Sequence, residues 1–218
     1  MIPVFATIAT GIFRLLPFPN FTVMLRLLAC TALLFVLLGC KGKKKKTSVP
    51  SEQFFPVSAY LKGEISRLDK SLHSFYKVET DSGRTDTVPI PNTEAKRLAA
   101  DFYNLPDIGS EDLKDNYEVT HTYDDALNAF VFMFTTKEDL PVQREDVVLD
   151  PEPDAKGNYK ILSIFAEVWK NNGDTTIRKN MLWNAGKSYQ ITTLTEAGGT
   201  EKTEKLQVFW NGFDGTNR

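Results

Sequence analysis

The last third of the chain constrains the fold most, because strand-length runs alternate there with turns that carry glycine. Runs at 159–170, 175–183, 188–195 and 203–211 are separated by Asn171-Asn172-Gly173-Asp174, Asn184-Ala185-Gly186-Lys187 and Glu196-Ala197-Gly198-Gly199-Thr200. A tight turn needs residues that accept positive φ, and asparagine and glycine do so at least cost. Three such connections in succession fold the chain back on itself three times. The spacing predicts an antiparallel four-stranded meander.

The turns also imply a register. Centring the first hairpin on Asn172-Gly173 pairs Glu167 with Arg178 and Phe165 with Asn180, which places opposite charges across two strands. One face then carries Leu162, Ile164, Ala166, Val168, Ile177, Met181 and Trp183. The other carries Phe165, Trp169, Leu182, Tyr189, Ile191, Leu206, Val208 and Trp210. A sheet apolar on both faces is covered on both sides or leaves one side for a partner. With two helices to cover two faces, Phe165, Trp169, Tyr189 and Trp210 are expected to form a partly open ligand-binding face.

Upstream, Val57, Leu61, Ile65, Leu68 and Leu72 recur at helical spacing, with Pro56 tolerated in the first turn. A hairpin is expected over 75–88, turning near Asp81-Ser82-Gly83. A second helix, capped by Asn92 or Thr93, carries the stripe Ala95, Leu98, Ala99 and Phe102. Strands are expected at 117–123 and 129–136, the latter alternating Phe130, Phe132 and Phe134. Residues 137–158 are rich in Pro, Asp and Glu and read as connection, with a short strand at 147–149. The fold class is α+β: an antiparallel sheet with a C-terminal four-stranded meander, packed with two helices.

The N-terminal region carries an address. Residues 27–38 are twelve uncharged, largely apolar residues preceded by Arg26. That length suits the apolar region of a signal peptide and falls short of the ~20 residues of a membrane span. The run closes on Leu37-Leu38-Gly39-Cys40, which resembles the bacterial lipobox. The resemblance implies diacylglycerol on the Cys40 thiol, cleavage just before it, and acylation (palmitate among the acyl groups) of the new amino terminus. It places the mature chain on a membrane through its lipid, in the bacterial cell envelope, on the periplasmic or surface face of the outer membrane. The expected divisions are a signal peptide at 1–39, a lipidated Lys-rich tether at 40–53 and one domain at 54–218. Met24-Leu25-Arg26 opens a complete signal by itself, and Pro3, Pro17 and Pro19 interrupt the stretch before it. The initiator is therefore expected at Met24.

Charge divides along the same line. Removing Arg14, Arg26 and the five lysines at 41 and 43–46 from the 26 basic residues leaves 19, against 28 acidic ones, all beyond residue 46. An acidic domain with no aromatics interleaved in its basic run excludes a nucleic-acid partner. The two cysteines are Cys30, within the signal, and Cys40. Neither leaves a thiol for a disulfide or a metal in the domain.

Motifs for chemistry are absent. His73 and His121 are the only histidines, and no HExxH, GxSxG, P-loop or GxGxxG occurs. Acidic pairs at Asp124-Asp125, Glu138-Asp139, Glu145-Asp146 and around Asp150–Asp154 lack the ordered spacing of a calcium loop and read as solvated loops. Trp183-Asn184 and Trp210-Asn211 place an indole beside an amide, which suits sugar stacking or core packing with a turn residue. No catalytic residue, metal or cofactor is assigned. The expected function is a non-enzymatic binding or scaffold module for a protein or glycan partner. The alternatives are an envelope hydrolase using paired carboxylates and a structural assembly subunit.

Overall fold

The computed structural model describes residues 54–81 and 83–211. The readings of the signal peptide, Met24, Cys40 and the tether lie outside those residues. The described chain opens with helix α1 (Val57–Leu68), then the hairpin β1 (Phe75–Asp81) and β2 (Arg84–Ile90). Two short helices follow, α2 (Asn92–Leu98) and α3 (Ala100–Tyr103). The chain then runs through β3 (Glu118–Asp124), β4 (Ala129–Thr135), β5 (Val142–Leu149), β6 (Ile161–Asn172), β7 (Thr175–Asn184), β8 (Ser188–Ala197) and β9 (Thr200–Phe209).

All nine strands join one antiparallel sheet in the order β2-β1-β9-β8-β7-β6-β5-β4-β3. This overturns the α+β expectation. The fold is dominated by its sheet, and the meander runs through seven strands from β3 to β9 rather than four. The first hairpin then adds beside β9.

The missing link was β5. Its centre reads Arg144-Glu145-Asp146, a charged triplet that imitates a loop, yet it pairs with β4 and β6 along most of its length. Alternation resolves the conflict. Arg144 and Asp146 point to one face, where they form a two-point ion pair at 2.8 and 2.7 Å. Glu145 points to the other and is 1% exposed.

The helices form according to their apolar stripes. Val57, Leu61, Ile65 and Leu68 are buried as expected, with Pro56 at the start of α1. Leu72 lies beyond the helix end and is fully exposed, so the stripe stops one turn early. Ala95, Ala99 and Phe102 are buried to the last percent. Asn92 does not cap α2; its side-chain amide donates to the Ser71 carbonyl at 2.8 Å and ties the helix to the chain ahead of β1.

Loop length decides which residues reach the core. In the first C-terminal hairpin Asn172 pairs with Thr175, so the two-residue turn is Gly173-Asp174, one step beyond the expected centre. Glu167 lies opposite Asn180, and Trp169 opposite Arg178. That slip of two positions preserves the faces. The next hairpin does not. Asn184 pairs with Ser188 across three loop residues, with Gly186 at φ 69°. An odd loop moves β8 and β9 to the opposite parity. Tyr189 therefore lies opposite Trp183, and Tyr189, Ile191, Leu206 and Val208 join Ile164 and Met181 on the helix-bearing face.

Candidate functional site

On the helix-bearing face, cross-strand rows run from β6 to β9. Ile164, Trp183, Tyr189 and Val208 form the innermost row and are completely buried. The Phe102 ring meets Trp183 at 5.3 Å and Tyr189 at 5.6 Å, and Tyr189 stacks on Trp183 at 5.4 Å. The Tyr189 hydroxyl donates to the Ala95 carbonyl at 2.6 Å. Burial raises the Tyr189 pKa well above the usual phenol range.

The next row outward is Ala166, Met181, Ile191 and Leu206, and beyond it lie Val168, Lys179, Thr193 and Glu204. Here the short helices run out. The strands continue past them, so the outer half of this face becomes the floor of a trough. One end, of about 500 Å³, is bordered by Leu98, Ala100, Ile191, Leu206, Glu79 and Glu204 among others. The other, of about 270 Å³, is bordered mainly by Leu105, Pro106, Val168, Ile177 and Met181, with Lys170 and Lys179 at its rim. Asp101 of α3 borders both and accepts a hydrogen bond from Lys179 of β7 at 2.7 Å.

The trough differs in charge along its length. At the β1 end the carboxylates are matched by lysines: Glu79 with Lys77 at 3.0 Å, and Asp81 and Glu204 with Lys202 at 3.3 and 2.8 Å. Hydrogen bonds to Glu204 and Asp81 raise the Lys202 pKa. At the β6 end Lys179 is matched by Asp101, while Lys170 forms no ion pair among the described residues.

The four aromatics expected on one open face are divided between two. Tyr189 is fully buried and Trp210 is 8% exposed, packed 5.9 Å from Phe75 and 5.6 Å from Trp183. These two are core, and so is Trp183, which leaves the indole–amide pairs without an exposed ring. Phe165 and Trp169 are half-buried on the opposite face, which no helix covers among the described residues. Each ring there is capped by a guanidinium: Arg144 lies 5.6 Å from the Phe165 centroid and Arg178 4.9 Å from that of Trp169. The Trp169 indole N–H donates to Glu167 at 2.8 Å. A sugar stacking on Trp169 would first have to displace Arg178.

The acidic pairs do not converge on a reaction centre. Asp124, Asp150 and Asp154 accept backbone N–H groups of their own loops. Those bonds, led by Asn158, lower the Asp154 pKa. Glu145 and Asp146 face opposite sides of the sheet. Burial, reinforced by Asp107 and Asp146, pushes the Glu145 pKa up to about 8, and its Oε2 has no hydrogen-bond partner. His73 and His121 are exposed, the latter against Phe132 on the edge strand β3. Among the described residues no group of three or more His, Cys, Asp or Glu is placed to hold a metal ion, and no helix is long and apolar enough to cross a membrane.

Asp101, Lys170 and Lys179 were not singled out from the sequence. A signal existed in β6 and β7: on the helix-bearing face, Lys170 follows Val168 outward on β6 and Lys179 interrupts the series between Met181 and Ile177 on β7, where a core strand would stay apolar. The chain matches no protein-family model, no curated protein and no solved structure.

Proposed function

We propose that the chain is a lipid-anchored binding module of the bacterial cell envelope, attached through Cys40, that takes its ligand in the trough over β6–β9 and performs no catalysis. One observation carries the reading: at the β6 end of the trough Leu105, Pro106, Val168, Ile177 and Met181 line a mainly apolar depression of about 270 Å³, with Asp101, Lys170 and Lys179 at its rim. Concave, mostly apolar surfaces with a few placed polar groups are the usual form of a ligand site. A hydrolase is less well supported. Of the trough carboxylates, Glu79, Asp81, Asp101 and Glu204 each have a lysine partner, and a general acid needs an environment that holds its proton. The basic residues at 41 and 43–46 fit an anchor beside anionic lipid, each contributing about 1 kcal/mol near the surface.

The test has two parts. Cys40→Ala is expected to abolish lipid labelling and release the chain from membranes; unchanged membrane association would remove the anchor from the proposal. The full chain is then purified from membranes and its bound small molecules identified by mass spectrometry, beside Ile177→Glu, which places a charge on the trough floor. A compound enriched on the native chain and lost from the variant is the expected result. Identical extracts from the two would reject the trough as the binding site.

A further inference from the structure

We infer that the β6 end of the trough binds a single alkyl chain bearing an anionic head, with Lys170 and Lys179 at the head and Val168, Ile177, Met181, Leu105 and Pro106 along the chain. The inference rests on the trough being the binding site and names the chemical class that this end accepts.

Three observations converge. First, the depression of about 270 Å³ has mainly apolar walls, so hydrocarbon transferred into it from water is stabilised. Second, its polar rim is cationic: two lysines stand against one carboxylate, that of Asp101, which Lys179 already engages at 2.7 Å. Lys170 is exposed and forms no ion pair among the described residues. Third, head and chain are placed in order. Lys170 and Ile177 are cross-strand partners, as are Val168 and Lys179, and Met181 lies further inward on β7. An anion at Lys170 therefore points its chain over Ile177 and Val168 toward Met181, beneath the loop bearing Leu105 and Pro106. A cationic head would meet Lys170 and Lys179 with like charge. A neutral head would gain the apolar contact without the charge-assisted hydrogen bonds.

The full chain, reconstituted in neutral phosphatidylcholine vesicles, is irradiated with decanoic acid carrying a diazirine on its alkyl chain, or with the matching alcohol. Adducts are mapped by mass spectrometry. The acid is expected to label the segments holding Leu105–Pro106 and Ile177–Met181. Labelling should fall about tenfold in Lys170→Glu, with sheet content unchanged by circular dichroism, and the alcohol should label more weakly. Displacement by decanoate alone assigns a carboxylate head, and displacement by decyl phosphate as well assigns any anionic head; both outcomes support the inference. Equal labelling by acid and alcohol, or labelling indifferent to Lys170→Glu, overturns the anionic head and leaves the trough as the binding site. No enrichment of adducts in the trough with either probe overturns both readings.

Discussion

Lys179 of β7 and Asp101 of α3, 78 residues apart in sequence, meet at 2.7 Å and link the short helix to the sheet at the middle of the trough. Both side chains are partly exposed, so solvent screens the pair and it contributes at most about 1 kcal/mol to stability. Lys179→Met should lower the urea midpoint only slightly, with an unchanged denaturant slope. A much larger loss would mean that the ion pair carries the docking of α3, which the burial of Phe102 otherwise explains.

Glu145 gives stability a distinct pH dependence. Its folded pKa is about 8, above the usual carboxylate value of 4.5, because burial, Asp107 and Asp146 all disfavour the charge. The folded chain therefore holds a proton that the unfolded chain releases at lower pH. This contribution to stability is complete below about pH 4.5 and is lost as pH rises through about 8. Glu145→Gln keeps the shape and removes the ionisation. Urea unfolding at pH 5, 6.5 and 8 should show a native chain that weakens across the series relative to the variant. Parallel curves would show that Glu145 is solvated or paired in solution.

Tyr189 joins the sheet to α2 through one hydroxyl. Tyr189→Phe removes the 2.6 Å bond to the Ala95 carbonyl while keeping the ring on Trp183, and should cost roughly 1–3 kcal/mol. Tyr189→Ala also empties the ring site and should cost about 3–5 kcal/mol by analogy with other aromatic truncations. Thermal unfolding of the two variants separates the bond from the packing. No loss in Tyr189→Phe would show that the bond contributes nothing beyond the ring, and equal losses in the two variants would show that the ring contributes nothing beyond the bond.

Gly186 tests the odd loop. Its φ is 69°, and an added Cβ would meet no atom within 4 Å, so any penalty comes from the backbone conformation alone. Gly186→Ala should cost about 1–2 kcal/mol, and Gly186→Val more, because branching at Cβ makes positive φ worse. Hydrogen exchange at the β7–β8 ladder would show local opening in the Val variant. Full protection there, with no change in melting temperature, would contradict the loop geometry.

Much of the fold was legible where local chemistry and tertiary need agree. The C-terminal turns, the first hairpin, the alternating phenylalanines of β4 and the stripe of α1 all show that agreement. Local sequence failed at β5, where Arg144-Glu145-Asp146 offers charge to both faces. A strand is possible there only because Arg144 and Asp146 neutralise each other on the uncovered side while Glu145 is buried. It also failed at Asn184–Lys187, where four turn-like residues fit an even loop or an odd one equally well.

The amino-acid order alone determined that the chain makes tight antiparallel hairpins, that its described domain is acidic, and that no familiar catalytic motif is present. Turn chemistry, alternation and charge act over a few neighbouring residues and need no partner from afar. Tertiary structure alone decided that nine strands share one sheet and that Tyr189 and Trp210 are core rather than surface. It also brought Asp101 to Lys179 at the middle of the trough. The burial of Tyr189 and Trp210 depends on the parity of one loop, because a single residue more or less turns every later side chain to the opposite face. It depends too on where two short helices end, which sets how much of the sheet is covered.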